Sequence, residues 1–419
     1  MQFWKGTLLF FLFLAGHPGY SSLHVDVESE SALLINSKTG RVLFAKNASK
    51  PMYPASCTKI AFALYAIKYH RKLFDQTLVC SQNALKSLPE SQKGKNNFAD
   101  VPSYILENDA SHMGLKVGEE MKFYDLLEAT MVVSADDASN MIAETMGEGN
   151  VEKCVQDVNR YLTSLGCKNT HFTNPHGLHH PEHVTTAEDL ALLCREAMKE
   201  PLFAKMAKMT SFQRPKTNIQ EAVVLKQTNR LLTKGPSYYP AAVGIKTGYH
   251  RRAGYCLAAQ AEENGRSLIS ITFHSDTVQG RFADTKKLFD AAFQEALEYR
   301  KLLEVGPQSF ERSLKGGSCK VKTLTKEPIG VHFYPSDPPV ISYRLAWYQV
   351  SLPLKKDSPV GELRVCVDGE VQQKTTLFAA NDVELTFLSK LHQRLPLLII
   401  LGGIGAIFFA LILLAKRRK

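Results

Sequence analysis

The eight cysteines of this 419-residue chain include no C-x-x-C pair. Without such pairs, a cysteine zinc site or a thioredoxin-like redox motif is not expected. The chain also lacks zinc-finger spacing, a glycine-rich loop ending in Gly-Lys, and the aromatic-basic pattern of RNA-binding sheets. A nucleic-acid partner is therefore not expected, although the net charge is +10. A net positive charge is also compatible with binding to anionic lipid or to an acidic polymer.

No low-complexity tract interrupts the chain, and 44% of its residues are hydrophobic while 22% are charged. This composition is typical of a globular protein with a sizeable core, and the length favours two or three domains. Disulfides are possible if the chain is exported, but their pairing cannot be read from sequence. We expect Cys57 and Cys256, which flank the stretches discussed below, to be buried free thiols.

Both ends of the chain are apolar. Residues 1–22, "MQFWKGTLLFFLFLAGHPGYSS", place Lys5 before an apolar stretch, as in a secretory signal, although no clean A-x-A triplet marks a cleavage site. Residues 395–415 carry no charge over a length that crosses a bilayer. The basic residues 416–419 follow at once and predict a cytoplasmic tail. The sequence therefore predicts an exported body that a C-terminal transmembrane helix holds at the membrane.

Hydrophobic patterns divide the body into two parts. "SALLINSKTGRVLFAKN" predicts a hairpin, and the patterns from about 116 to 200 are mostly helical, beginning with "FYDLLEATMVVSADDASNMIAETMG" at 123–147. Strands return at 241, and "GRFADTKKLFDAAFQEALEYRK" predicts a closing helix. We expect one mixed α+β domain over 23–304, in which one sheet joins both ends of the segment. Short β runs with proline and glycine predict a small all-β domain over 306–380. Residues 381–394 would link it to the membrane helix.

Ser56 and Lys59 lie three residues apart in the apolar stretch "YPASCTKIAFALYA". On a helix this spacing places both side chains on one face. A buried ammonium is costly unless it is paired or loses its proton. A lysine that loses its proton can act as the base that activates a serine hydroxyl. S-x-x-K is common by chance, however, so the pair needs support from elsewhere in the chain.

Two further elements supply that support. "VVSADDAS" places Ser134 and Asp136 in an apolar helical context, and "VGIKTGYHRRAGYC" places Lys246, Thr247 and Gly248 at the end of an apolar strand. A strand that carries a cation, a hydroxyl and a residue without a side chain can accept a substrate peptide alongside it. The carboxylate of that peptide would then lie near the lysine and the threonine.

The three elements, in this order, resemble the serine penicillin-binding proteins. Together with "NPHGLHHPEHVTTAEDLA" and "GRFADTKKLF", they are similar to the exported D-alanyl-D-alanine carboxypeptidase family over nearly the whole chain. The resemblance implies a multi-layer α+β fold of the penicillin-binding and β-lactamase type, with an antiparallel sheet flanked by helices. A small all-β domain and a membrane anchor would follow.

The resemblance also implies a role for each matching residue. Ser56 would be the acylated nucleophile, Lys59 its general base and Ser134 a proton relay to the leaving amine. Backbone N–H groups of Ser56 and Tyr249 would form the oxyanion hole. Lys246 and Thr247 would bind the terminal carboxylate of the substrate, and Arg281 would assist them. Gly248 would be a further substrate-binding position of the same Lys-Thr-Gly motif. The family's middle motif usually ends in asparagine, so Asp136 is a departure that places this second element in doubt.

The implied reaction removes the terminal D-Ala from peptidoglycan stem pentapeptides through an acyl-enzyme, without a cofactor. The expected partners are stem peptides, β-lactam antibiotics that acylate the serine, and the bacterial inner membrane, with the catalytic domain on its periplasmic side. Two alternatives remain. A β-lactamase of the same fold would need fast deacylation, for which no E-x-x-L-N type motif is present. A penicillin-binding scaffold protein would result if Asp136 weakened turnover.

Two other patterns receive structural explanations. A second Lys-Thr-Gly begins at Lys38, but it lies in the predicted hairpin turn, where glycine is useful. Clustered histidines can bind zinc. Five of the 13 histidines lie between positions 171 and 183: His171, His176, His179, His180 and His183. No carboxylate stands at a recognised metal spacing near them, and "NPHGL" already resembles a family loop. A metal site is therefore not expected.

Overall fold

The computed structural model describes residues 23–394, 403–407 and 409. The described chain divides between Ala296 and Leu297 into two compact units. We call them the N-terminal unit and the C-terminal unit.

A five-stranded antiparallel sheet, which we call the central sheet, organises the N-terminal unit. Its strand order is β2-β1-β11-β10-β9. β1 pairs with β11, and β2 pairs with β1. One sheet therefore joins strands from both ends of the unit, as the sequence predicts. The strands of this unit are β1 Ser31–Asn36, β2 Val42–Lys46, β3 Thr77–Val79, β4 Ser87–Leu88, β5 Leu106–Glu107, β6 Glu120–Lys122, β7 Ser211–Arg214, β8 Val223–Lys226, β9 Ala242–His250, β10 Gly254–Glu263 and β11 Arg266–Ser275.

Helices cover both faces of the central sheet. They are α1 Lys59–Tyr69, α2 Glu90–Lys93, α3 Phe123–Val132, α4 Asp136–Met146, α5 Val151–Leu165, α6 Ala187–Met198, α7 Pro201–Ala207 and α8 Val278–Phe293. Short 3-10 helices span Ala55–Thr58, Arg71–Leu73 and Lys95–Phe98.

Strand β1 shows why the sheet is buried on both faces. Successive side chains of a strand point to opposite faces. Leu33 and Ile35 pack into the core that contains α1, whereas Leu34 packs into the core that contains Phe282 and Phe289 of α8. Because both sets are apolar, the sheet lies between a large helical layer and α8. The prediction of a mixed fold with an antiparallel sheet flanked by helices is confirmed.

Two predicted helical stretches differ in the structure. The pattern from 123 to 147 is not one helix, because α3 ends at Val132 and α4 begins at Asp136. Ser134 between them has a φ of +66°, which an α-helix does not accommodate. The closing helix is shorter than predicted, because its predicted stretch continues through "EALEYRK". α8 ends at Phe293, and Glu298–Leu303 is a strand that pairs with Ile329–Phe333.

The C-terminal unit consists mainly of strands: β12 Glu298–Leu303, β13 Gly306–Ser313, β14 Lys320–Thr325, β15 Ile329–Phe333, β16 Ile341–Trp347, β17 Pro359–Val367 and β18 Glu370–Ala379. Five of them form a sheet in the order β13-β14-β18-β17-β16, and β12 pairs with β15. The unit has its own apolar core, which includes Val321, Leu363 and Leu377. Its first strand begins before the predicted boundary at 304–306.

The predicted membrane-related segments lie largely outside the described residues. Residues 1–22 are not described, and of residues 395–415 only 403–407 and 409 are, all in helical conformation. Among the residues that the structure does describe, no helix has both the length and the apolar character needed to cross a bilayer. Residues 387–394, within the predicted linker, are helical.

Candidate active site

Ser56 lies in the 3-10 helix Ala55–Thr58, and Lys59 is the first residue of α1. Pro54 precedes this 3-10 helix, where its fixed φ and missing N–H cost little. Lys59 Nζ donates a hydrogen bond to Ser56 Oγ over 2.8 Å. The predicted spacing of three residues therefore brings the hydroxyl and the amine into contact, although the two residues belong to consecutive helices.

Lys59 makes two further hydrogen bonds. Its Nζ donates to Asp136 Oδ1 over 2.5 Å and to the backbone carbonyl oxygen of His176 over 2.7 Å. The three N–H groups of an ammonium are thus all used. The Lys59 side chain is 0% exposed and that of Asp136 is 4% exposed, so this ion pair is shielded from water.

Burial perturbs both members of this pair. It lowers the pKa of Lys59, because the charged amine loses its hydration, while the carboxylate of Asp136 opposes that shift. Burial likewise raises the pKa of Asp136, and the ammonium of Lys59 opposes that shift. The two groups therefore become closer in proton affinity than they are in water.

The break between α3 and α4 positions Asp136. The backbone N–H of Asp136 donates to the carbonyl of Ser111 over 2.8 Å, and its carboxylate lies in the first turn of α4. The N-terminus of a helix favours a negative charge. Ser134 is buried within the break. The neighbouring Asp137 is used differently, because its carboxylate accepts the backbone N–H groups of residues 113–115.

Strand β9 brings the second lysine beside this group. Lys246 is 1% exposed, and its Nζ donates to the carbonyl of Thr247 over 3.0 Å. Burial lowers the pKa of Lys246 to about 7, and the nearby charge of Lys59 acts in the same direction. The Thr247 hydroxyl lies 2.7 Å from that of Thr228, which fixes its position at the strand end.

Gly248 on β9 lies directly against the segment that carries the serine. A Cβ at this position would lie 2.7 Å from the carbonyl oxygen of Pro54 and 3.0 Å from the backbone N of Ser56. The first distance is too short for a methyl group and the second is tight, so the strand can approach this closely only with glycine at this position. Cys57 Sγ also donates to the carbonyl of Lys246 over 3.6 Å. Strand β9 is therefore fixed beside Ser56.

Arg281 on α8 reaches the same strand from the opposite face of the sheet. Its guanidinium donates to the carbonyls of Gly248 and Cys256, over 2.9 and 3.2 Å. It also lies 5.3 Å from the centre of the Tyr255 ring, which stacks on the ring of Tyr249. Arg281 is thus a buried cation on the strand that carries Lys246 and Thr247. The side chain of Tyr249, in contrast, is exposed.

The loop around His176 is the part of the site that the sequence did not identify. The Asn174 amide holds this loop, with its Oδ1 accepting from the N–H of Gly177 and its Nδ2 donating to the carbonyl of Leu178. Gly177 has a φ of +91°, and a Cβ there would lie 1.9 Å from the carbonyl oxygen of Ala55. The loop therefore packs closely against the segment that carries Ser56, and its His176 carbonyl accepts a hydrogen bond from Lys59.

The other histidines of the cluster have separate contacts. His183 Nε2 lies 2.8 Å from Thr58 Oγ1, and its ring stacks on Phe172. His179 makes an edge contact with the ring of Tyr53. Within the described part of the chain, no three histidine, cysteine, aspartate or glutamate side chains form a metal-binding group. Cys57 and Cys256 are buried and unpaired, as predicted.

The geometry joins a hydroxyl, a buried amine and a carboxylate in one hydrogen-bonded chain. A second buried lysine and a buried arginine lie along β9, where an anionic group would favour the charged form of the lysine. Such a site suits attack by a serine on a carbonyl whose neighbouring group is a carboxylate. The early Lys38, in contrast, is exposed in the turn between β1 and β2.

Comparison with known proteins agrees with this chemistry. The pattern of a family described as "D-alanyl-D-alanine carboxypeptidase" matches residues 19–277. A Bacillus subtilis protein named "D-alanyl-D-alanine carboxypeptidase DacF" is 30% identical over 388 residues, which are 90% of this chain and 92% of that protein.

Two solved structures share the fold. That of the carboxypeptidase DacD from Francisella tularensis has a TM-score of 0.58 at 21% identity, and covers 89% of this chain and 98% of its own. That of penicillin binding protein 5 from Haemophilus influenzae has a TM-score of 0.56 at 26% identity, with coverages of 86% and 98%. With a match that extends over more than half of its length, the chain belongs to the D-alanyl-D-alanine carboxypeptidase family.

Proposed function

We propose that this protein is a serine-type D-Ala-D-Ala carboxypeptidase that removes the terminal D-Ala from peptidoglycan stem peptides. The observation that carries the proposal is the 2.8 Å contact between Ser56 Oγ and the buried Lys59 Nζ. Strand β9 lies beside that contact. Its close approach is possible because Gly248 has no side chain that would collide with the segment around Ser56. Family membership and this contact agree on one reaction class.

The proposed acylation step combines the contact between Ser56 and Lys59 with the roles that the family resemblance implies. Neutral Lys59 takes the proton of Ser56 as Oγ attacks the carbonyl carbon of the penultimate D-Ala. The N–H groups of Ser56 and Tyr249 stabilise the negative charge that develops on the carbonyl oxygen. The C–N bond then breaks, and Ser134 relays the proton from Lys59 to the departing amine. Water later hydrolyses the ester and restores the Ser56 hydroxyl.

The substrate carboxylate binds along β9. Lys246 and Thr247 provide a charged donor and a hydroxyl, and Arg281 supports the strand through the carbonyl of Gly248. A β-lactam carries a carboxylate and a reactive carbonyl in a related arrangement, so it acylates the same serine. No cofactor takes part in this sequence of steps.

We also propose a layout for the whole chain: residues 1–22 as a secretory signal, 23–304 as the catalytic domain, 306–380 as a β-rich domain and 381–394 as a linker. Residues 395–415 would cross the inner membrane and 416–419 would remain in the cytoplasm. The uncharged stretch with its basic flank supports this layout. The catalytic domain would then face the periplasm, where stem peptides lie.

Mass spectrometry after treatment with benzylpenicillin tests the nucleophile. We expect one covalent adduct on a peptide that contains Ser56, and no adduct in Ser56→Ala. A melting temperature of Ser56→Ala close to that of the wild type would exclude misfolding as the cause. An adduct on a different serine would refute the assignment.

Release of D-Ala distinguishes the carboxypeptidase from the alternatives. A pentapeptide substrate should lose D-Ala catalytically, and the penicillin adduct should persist over many turnovers of that reaction. Rapid loss of the adduct without D-Ala release would indicate a β-lactamase. A stable adduct without D-Ala release would indicate a penicillin-binding scaffold.

A further inference from the structure

We propose that Asp136 is a proton store for Lys59, holding the proton that Lys59 must give up before it can act as a base. This inference rests on the proposed function and assigns a role to the residue that departs from the family motif. It is carried by the unbroken chain of contacts from Ser56 Oγ to Lys59 Nζ to Asp136 Oδ1, over 2.8 and 2.5 Å.

The first reason is the charge state that catalysis requires. As an ammonium, Lys59 donates all three of its N–H groups and has no lone pair for the Ser56 proton. If its proton moves to Asp136, Lys59 becomes a neutral amine and Asp136 a neutral acid. The net charge of the pair is zero in both forms, so no proton has to leave for the solvent.

The second reason is the balance of forces on the pair. Burial favours the neutral form, because two separated charges lose their hydration in the interior. The attraction between the charges and the position of Asp136 in the first turn of α4 favour the ion pair. These opposed effects bring the two forms close in energy, as a reversible store requires. The opposite shifts in the pKa values of the two groups are consistent with such sharing.

Other charged and titratable groups face the pair from every side. One cation on β9 and one on α2 attract the carboxylate of Asp136 and favour its charged form, whereas one carboxylate on α4 opposes that charge. A thiol and an imidazole, whose pKa values burial shifts away from the charged forms, complete the surroundings. The groups are Cys57, Lys93, Asp137, His176 and Lys246. None of them receives a hydrogen bond from Lys59 Nζ through its side chain, so Asp136 is the direct acceptor.

The proton steps balance. The proton on Nζ passes to a carboxylate oxygen of Asp136, and rotation about the Cε–Nζ bond turns the free lone pair toward Ser56 Oγ. Ser56 forms its bond to the carbonyl carbon while its proton passes to Nζ. That proton continues to the leaving amine as the C–N bond breaks. Asp136 retains the stored proton until the pair returns to its ion-paired form.

An asparagine at this position can stabilise Lys59 through its oxygen, but it cannot accept the proton. Lys59 must then release its proton to the solvent before each acylation. Activity would therefore rise only as the pH passes the pKa of Lys59. In the wild type, the ascending limb instead marks the loss of a proton from the pair when Asp136 deprotonates beside the ammonium of Lys59, which occurs at a lower pH.

The test is the pH profile of the second-order rate of benzylpenicillin acylation at Ser56, measured with wild type and Asp136→Asn. The wild-type ascending limb should lie at lower pH than that of Asp136→Asn, because the wild-type pair passes the proton internally. In Asp136→Asn it should move up by about one pH unit or more, equivalent to about a tenfold loss of rate on that limb. Asp136→Glu, which restores a carboxylate, should move it back toward the wild-type position.

Asp189→Asn is the matched control, because Asp189 is also a buried carboxylate in the first helical turn, but it accepts hydrogen bonds from Asn169 and Thr170 instead of from Lys59. Its ascending limb should coincide with that of the wild type. An Asp136→Asn limb that moves down would show that Asp136 only keeps Lys59 protonated, and an unmoved limb would show no proton exchange. Either result would overturn the proposal.

The wild-type profile alone is decisive if Asp136→Asn does not fold. An ascending limb that extends through neutral pH would mean that Lys59 loses its proton to the solvent, and the proposal would be wrong. The absence of any adduct at Ser56 would instead refute the proposed function. The two failures are therefore distinguishable.

Discussion

At the scale of single residues, the two Lys-Thr-Gly copies differ in burial and in neighbours. Lys246 is buried beside Lys59 and Ser56, whereas Lys38 lies exposed in a hairpin turn. A charge-assisted hydrogen bond to a substrate carboxylate contributes about 1.5–3 kcal/mol. Removing it should affect only the site that holds the substrate.

Lys246→Ala should therefore lose about ten- to a hundredfold in kcat/KM for D-Ala release, because each 1.36 kcal/mol corresponds to a factor of about ten. Lys38→Ala serves as the control and should stay close to the wild-type value. Steady-state kinetics on one pentapeptide at one pH checks both variants. Equal losses at the two positions would contradict the assignment of Lys246.

Residue chemistry explains which site positions the sequence could identify. The hydroxyl, amine and carboxyl groups of Ser56, Lys59 and Asp136 can be recognised as catalytic candidates from the residue types alone. The structure brings these three groups into contact. The third bond of Lys59 goes to the backbone carbonyl of His176. A backbone acceptor leaves no signature in the residue type, so no side-chain pattern could predict it. The nearby Gly177 was the available signal, because its backbone conformation and close contact both demand glycine.

At the scale of secondary structure elements, two glycines let separate segments converge on Ser56. Gly248 admits β9 from one side, and Gly177 admits the His176 loop from another. The two contacts differ in kind. Gly248 has an ordinary backbone conformation, whereas Gly177 combines a very short contact with a φ of +91°.

The two alanine substitutions should therefore have different effects. Gly248→Ala should push β9 away from Ser56 and slow benzylpenicillin acylation by about tenfold or more, with a smaller fall in melting temperature than Gly177→Ala causes. Gly177→Ala should lower the melting temperature clearly, because a Cβ would collide with the backbone at Ala55 in a strained conformation. Acylation kinetics together with thermal melting separates the two. Identical behaviour of both variants would contradict this distinction.

Elements that depend on distant partners were the least predictable. The break between α3 and α4 falls within "VVSAD", which contains neither glycine nor proline and continues a helical pattern. It forms because Ser134 adopts a left-handed conformation and Asp136 bonds to Ser111. Similarly, Glu298–Leu303 has a composition compatible with a helix, but pairing with Ile329–Phe333 makes it a strand. Local patterns do not contain such long-range contacts.

At the scale of the whole molecule, attachment to the membrane can be divided among segments. The uncharged residues 395–415 are proposed to cross the bilayer. The preceding helical residues 387–394 expose Phe387, Leu388 and Leu391, which could lie at a lipid surface. The two contributions are separable by truncation.

A protein limited to residues 23–394 should stay in the supernatant with vesicles of anionic phospholipid and should still form the benzylpenicillin adduct. A protein limited to residues 23–386 is the control without the exposed apolar residues. Sedimentation of both proteins with vesicles measures the difference. If 23–394 sediments and 23–386 does not, residues 387–394 bind lipid, and the claim that the last segment alone anchors the protein is wrong.

The strand order of the central sheet also determines when activity can arise during synthesis. β1, near the start of the N-terminal unit, pairs with β11, whose residues are made more than two hundred positions later. Contacts between such distant segments form slowly and late. A nascent chain synthesised just beyond Asp136 already contains Ser56, Lys59 and Asp136. It still lacks β9, and it lacks β11, with which β1 pairs. Ser56 of an unfinished chain is therefore not acylated by a β-lactam. Reactivity toward β-lactams appears only when the N-terminal unit is complete.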